Sequence, residues 1–209
     1  FLVIQTCVDI RRQRHFTNFR KEALHRLRNR TRRREPSRTS ITSACGPLIY
    51  RATLLPEEYW GNHFCCENAQ NFIHRCLLER DGAGYRVVRQ PDPKTEFLAS
   101  TEEWYRPINL TLGPDGAIYI VDMYREIIED YSAIPRFLQQ QYVESLIAGH
   151  DRGRIQRLTV EGAPKQQKFD LRKAPVAELV SQLSNDNAWW RETAQRLLVE
   201  RGDQAAVGP

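Results

Sequence analysis

The clearest alternation of apolar and polar positions lies in residues 106–122. Ile108, Leu110 and Leu112 alternate with Asn109 and Thr111, the period of two expected of a half-buried strand. Gly113, Pro114, Asp115 and Gly116 follow. Pro114 sets a negative φ, Asp115 can accept from the backbone ahead of it, and Gly116 tolerates positive φ, so the four residues predict a tight turn. Residues 117–121 form a second apolar run ended by Asp122. Two strands about a Pro-Asp-Gly turn predict a β-hairpin. Upstream, the pattern predicts strands over 48–54, 62–67, 72–80 and 85–89, with a short helical or irregular piece at 56–61, a turn at 81–84 and a two-proline loop at 90–94. Four short antiparallel strands in this span match the length of one β-propeller blade.

After Tyr124 the period changes. Ile127, Ile128, Ile134, Phe137, Leu138, Tyr142, Val143, Leu146 and Ile147 recur at helical spacings broken by Pro135, which predicts a helical insertion over 124–149. Residues 150–158 return to strand. A polar stretch over 161–174, with Gly162, Pro164 and a Lys/Gln run, reads as a linker. From Pro175 the period is helical again. Val176, Leu179, Val180 and Leu183 form one stripe, residues 184–187 can cap a second helix, and Gly202 stops it. The expected units are therefore 1–39, 40–160, 161–174 and 175–209.

Charge changes how the first of these is read. The 209-residue chain has net charge +5 and 41% hydrophobic residues. Residues 1–39 hold 12 Lys/Arg and 3 Asp/Glu, a balance of +9; the rest of the chain carries −4. The segment shows neither clean periodicity nor turn punctuation, and its basic run at 28–34 fits three readings. These are a polyanion-binding arm, a solvated disordered tail, and a stretch that is not native coding sequence. The last is preferred, and the mildly acidic remainder gives no reason to expect nucleic acid as a partner. The chain begins at Phe1, so a fragment of a longer protein is expected. No apolar run approaches the length of a membrane helix.

Two sequence words carry a resemblance. RPxNLxxGPDGAxYxVDMYRE, from Arg106 to Glu126, and DRGRIxRL, from Asp151 to Leu158, resemble the last propeller blades of the membrane-bound dehydrogenase domain proteins of planctomycete-type bacteria. That propeller is similar to the one in quinone-dependent glucose/sorbosone dehydrogenases. The resemblance runs from about Thr42 to about Val207. It implies a partial antiparallel β-propeller of about two blades with a helical insertion, then a helical HEAT-like repeat that needs further repeats to bury its apolar face. It implies an exported, periplasmic or membrane-associated parent acting on sugars or related alcohols, with pyrroloquinoline quinone and/or haem c, and calcium, as cofactors, and a downstream cytochrome c module as partner. The fragment holds no Cys-x-x-Cys-His word, so it is expected to attach no haem and to be inactive alone. The alternative is a non-enzymatic scaffold binding polysaccharide or protein.

Within that resemblance, strand-end residues near the propeller axis bind quinone and sugar, which makes Arg106, Asn109, Asp122 and Arg125 the candidate cofactor-binding residues. Either arginine suits a bidentate acidic group, and Asp122 suits an arginine or a calcium ion. The competing and preferred reading is an Asp122–Arg125 ion pair that locks the insertion to the blade. Asp115 is explained by its turn. His63 and His74 fall within strands, and His150 beside Asp151 is read as structural. Catalytic residues are not assigned. Cys7, Cys45, Cys65, Cys66 and Cys76 have no zinc spacing, and adjacent Cys65 and Cys66 point to opposite faces of a strand, so no metal site is expected. The resemblance implies a Cys45–Cys66 disulfide; free buried thiols are the equal alternative. Trp189 and Trp190 are expected to pack, one in the repeat and one against a following repeat.

Overall fold

The computed structural model describes residues 2–9, 17–18, 41–89, 95–140, 143–163 and 170–207. The fold is mixed β and α, and its strand pairings are antiparallel. The strands are β1 (Leu2–Asp9), β2 (Thr17–Asn18), β3 (Ala44–Ile49), β4 (His63–Glu67), β5 (Phe72–Asp81), β6 (Gly84–Arg89), β7 (Leu98–Ala99), β8 (Pro107–Leu112), β9 (Ile118–Asp122) and β10 (Arg154–Val160). One sheet runs β3-β4-β5-β6, with β7 added on β5; the other runs β2-β1-β10-β9-β8. Neither sheet closes on itself. The described helices are α1 (Arg136–Gln139), α2 (Val143–Ile147), α3 (Val176–Gln182) and α4 (Ala188–Arg201). Among the described residues no helix is long and apolar enough to cross a membrane.

The β8–β9 hairpin forms where the alternation predicts it. Leu110 pairs with Ile120 and Leu112 with Ile118, and all four point into a core shared with Tyr50, Phe64, Cys66, Ile73 and Leu158. That core joins the two sheets. Two departures stand out upstream of it. The first strand ends at Ile49 rather than continuing to Leu54. Tyr50 diverts the chain, because its backbone pairs with Gly61 and Asn62 while its buried hydroxyl donates to Gly116 O and accepts from Leu55 N, both at 2.8 Å. The second departure is Gly46, at φ +56° where the β3–β4 register slips. An added Cβ there would stand 2.5 Å from Asn109 Cα, so glycine lets β3 ride directly over β8.

The basic segment 1–39, to which the sequence assigns no element, contributes two strands. Leu2 to Asp9 pair along almost the whole of β10, and β2 adds to β1. The remainder of 1–39, including the arginine run at 28–34, lies outside the described residues, as do the 90–94 loop and residues 164–169 of the expected linker. The helical insertion is present as α1 and α2, but Phe137 and Ile147 are exposed; their helical spacing does not reflect a covered face.

α3 and α4 enclose their own cluster of Leu171, Ala174, Leu179, Ala194 and Leu197. Asn187 caps α4 through Trp189 N, and Gly202 ends it at φ +59°. The pair is docked rather than tethered. Ala188 N donates to Arg51 O at 2.8 Å, Arg51 pairs with Glu192, and Trp190 Nε1 donates to Pro114 O at 2.7 Å. Trp190 therefore reaches the hairpin turn. Val180, Leu183 and Val199 are the apolar positions left exposed.

Candidate functional site

The candidate cofactor residues gather at one end of the β8–β9–β10 sheet, and their polar groups are turned to the protein itself. Arg106 donates Nε to Arg125 O at 3.0 Å, Nη1 to Asn68 O and Ala69 O at 3.1 and 3.3 Å, and Nη2 to Glu126 O at 2.7 Å. Its planar fork thus fastens the β4–β5 turn to the chain leaving β9. Arg125 donates Nη1 to Leu146 O and Ile147 O at 3.3 Å, capping the carbonyl end of α2, where a cation is favoured. Asn109 folds its Oδ1 onto the Leu110 amide at 3.0 Å and stays exposed.

Asp122 is the buried centre of this cluster. Oδ1 accepts from Arg106 N at 2.9 Å and Tyr124 N at 3.0 Å, and Oδ2 accepts from Arg154 Nε at 2.7 Å. The expected ion pair exists, but its cation is Arg154 rather than Arg125. The cross-strand register decides this, since Arg154 lies directly opposite Asp122 while Arg125 has already left the strand. Arg154 goes on to Glu102 Oε2 at 2.8 Å and lies 4.1 Å over the Tyr124 ring. Burial disfavours its charge, but its hydrogen bonds to Glu102 and Asp122 outweigh that and hold the guanidinium above its ordinary value. Tyr124 itself bonds Glu102 and sits at φ +52°, a conformation the Asp122 acceptor helps to hold. Burial and the Glu102 carboxylate push its hydroxyl up. Trp104 packs against Tyr124 with centroids 5.6 Å apart, and Arg152 lies 5.5 Å over Trp104.

As they stand, these residues do not fit the groups the resemblance implies. Both Asp122 oxygens accept from nitrogen donors, which a calcium ligand would have to release. The two guanidinium groups meet backbone carbonyls where a quinone carboxylate would need to sit. Asp115 keeps its turn role, accepting from Ala117 N at 3.2 Å, and adds an ion pair with Arg157. His150 Nδ1 faces Ile147 O at 3.0 Å.

Cys45 and Cys66 are opposite one another in the β3–β4 register, and both are free thiols. Cys45 Sγ is turned toward Pro107 O, 3.8 Å away, and burial, then the neighbouring Cys45 and Cys65, pushes the Cys66 thiol up. On the other face of β4 and β5 the register sets His63 opposite Cys76 and Cys65 opposite His74. Counting cysteines alone misses this. The signal in the sequence is the repeated word His-x-Cys, at 63–65 and again at 74–76. His74 Nδ1 meets Glu96 Oε2 at 2.6 Å, and burial with the nearby His74 lowers the pKa of His63.

A family model described as a domain of unknown function, DUF7133, matches residues 5–162. The chain belongs to the DUF7133 family. No curated protein and no solved structure matches it. The DUF7133 span takes in most of β1 and runs through β10, so it contains both sheets, the Asp122–Arg154 cluster and the His/Cys face. α3 and α4 lie beyond it.

Proposed function

We propose that this DUF7133 chain is part of a dehydrogenase-like β-propeller in which the described residues are scaffold rather than catalyst. The observation that carries the reading is Arg106, whose side-chain nitrogens meet four backbone carbonyls and leave no evident fork for a ligand. The topology supports the propeller. β3 to β6 are a four-stranded meander, and β8, β9 and β10 gain their fourth strand from β1, the way a ring of blades is fastened by its other chain end. In this reading α3 and α4 are a HEAT-like repeat, the parent protein is periplasmic, and a sugar-oxidising centre with its haem partner lies outside the described residues. The second reading is a non-enzymatic scaffold that binds polysaccharide or protein.

The test is dye-linked sugar oxidation by the purified chain with added pyrroloquinoline quinone and calcium, alongside binding of soluble oligosaccharides by calorimetry. No turnover with measurable oligosaccharide binding is the expected result. Quinone-dependent turnover that Arg106→Lys or Arg125→Lys abolishes in a folded protein would overturn the scaffold reading.

A further inference from the structure

We propose that the outer edge of β6 is a self-pairing surface, through which two copies of this chain join about a two-fold axis with their β6 strands antiparallel. β6 ends its sheet, with β5 on one side and no strand on the other among the described residues. Its register on β5 runs unbroken from the Asp81–Gly84 pair to the Cys76–Arg89 pair. The loop between the strands is Gly82 and Ala83, with Gly82 at φ +58°, the position where a type II′ turn takes glycine. Such a turn makes Asp81 and Gly84 a hydrogen-bonded pair, and bonded and non-bonded pairs then alternate along the ladder. Gly84, Arg86 and Val88 therefore turn their N–H and C=O groups to β5, whereas those of Tyr85, Val87 and Arg89 point away from it. A row of unpaired backbone donors and acceptors is a template for another strand.

The devices that blunt an edge are missing from β6. Residues 84–89 hold no proline, lysine or bulge, and Tyr85 and Val87, on one face, are 68% and 62% exposed. The far ends of the sheets are treated differently. β8 lies against β3 where Gly46 meets Asn109, and β1 carries a register shift at Thr6–Val8 and is flanked by β2. The register of a β6 pair then selects a second copy as the occupant. A two-fold axis perpendicular to the sheet keeps every side chain on its own face, so the registers that overlap most of the strand centre on Arg86 or on Val87. Centred on Arg86, two exposed guanidinium groups stand opposite one another, which is unfavourable. Centred on Val87, the pairing sets Val87 on Val87, Tyr85 opposite Arg89 and Arg86 opposite Val88 of the second copy, and no like charges meet. It also joins the outward amides and carbonyls of 85, 87 and 89 to one another, and gathers Tyr85 and Val87 of both copies into one apolar strip. An isologous pair of this kind consumes the edge in both copies and closes.

The test is sedimentation velocity of the full chain over a rising concentration series, with reductant present, and amide hydrogen exchange on the same samples. An edge of six residues makes a small interface, so a weak, concentration-dependent dimer is expected. The amides of 85, 87 and 89 should gain protection as the dimer forms, while those of 86 and 88 are protected throughout. Val87→Pro removes an outward N–H that β5 does not use, a place where edge strands accept proline. Val87→Lys sets two ammonium groups opposite each other across the axis. Both variants should lose the dimer and keep the circular dichroism and urea midpoint of the parent. If the proline variant fails to fold, the lysine variant and the exchange pattern of the parent decide. A parent that is monomeric at every concentration, a dimer that persists in Val87→Lys, or a dimer with no gain of protection at 85 and 87 would overturn the pairing. Protection at 85 and 87 that arises only on adding an unrelated extended peptide would assign the edge to another chain and overturn it as well.

Discussion

Asp122 Oδ2 and Arg154 Nε stand 2.7 Å apart across the β9–β10 register, with the Asp122 side chain fully shielded from solvent. The attraction is partly spent on desolvating both groups. Removing one partner is a different matter, because the other charge stays buried. Arg154→Met should therefore destabilise the fold by about 3 kcal/mol, read from urea denaturation. Adding Asp122→Asn should recover part of that loss, since the amide oxygen still accepts from Arg106 N and Tyr124 N. A double variant no more stable than Arg154→Met would show that the pair itself matters little.

Tyr105 lies a short way inside the same cluster with its hydroxyl buried and without a hydrogen-bond partner. Burial, then the charge of Asp122, holds its pKa well above the ordinary value. A buried polar atom left unpaired costs on the order of 1 kcal/mol or more. Tyr105→Phe keeps the ring and deletes the orphan, so it should stabilise the protein by about 1 kcal/mol in thermal or urea unfolding.

Asn187 joins α4 to the hairpin. Its Oδ1 caps Trp189 N at 3.0 Å, and its Nδ2 donates to Gly113 O and Pro114 O at 3.0 and 3.1 Å. Losing the cap alone costs about 1 kcal/mol, and Gly113 O and Pro114 O would each lose one donor while keeping Gly116 N and Trp190 Nε1. Asn187→Ala should cost about 1–2 kcal/mol. Hydrogen exchange should show faster protection loss in α3 and α4 than in β8 and β9.

Gly46 and Gly61 separate two causes of glycine preference. Both have positive φ, at +56° and +70°. A Cβ on Gly46 meets the Asn109 backbone at 2.5 Å, whereas one on Gly61 meets nothing within 4 Å. Gly61→Ala should cost only the backbone strain, about 1 kcal/mol. Gly46→Ala should cost clearly more and lower the protection of β3 and β8 together.

Local rules recovered the elements whose partners are near in sequence. The hairpin of β8 and β9 was legible because Ile108 to Leu112 alternate and Gly113 to Gly116 supply the turn. The cap at Asn187 and the stop at Gly202 were legible for the same reason. Residues 50–54 were misread as strand because their apolar spacing suits one, while the backbone of Tyr50 is committed to Gly61 and Asn62. Arg106, Asp122 and Arg125, which the sequence groups, stand together at one end of the β8–β9–β10 sheet. That grouping names the wrong partner for Asp122, because Arg154 arrives only after an inserted pair of helices. The His/Cys face was hidden for a related reason: neither His-x-Cys word has meaning until a register sets them side by side.

The pairing of β1 with β10 has a kinetic consequence. Leu2 meets Val160 and Asp9 meets Arg154, so one of the longest ladders in the protein joins residues from nearly opposite ends of the matched domain. Such contacts raise the contact order, and their loop-closure entropy is spent before any pairing rewards it. During synthesis β1 is made before β10 and waits for it, while β3 to β6 and the β8–β9 hairpin already have local partners. The second sheet is thus completed after the first, and until β10 arrives β1 keeps an edge open to other chains.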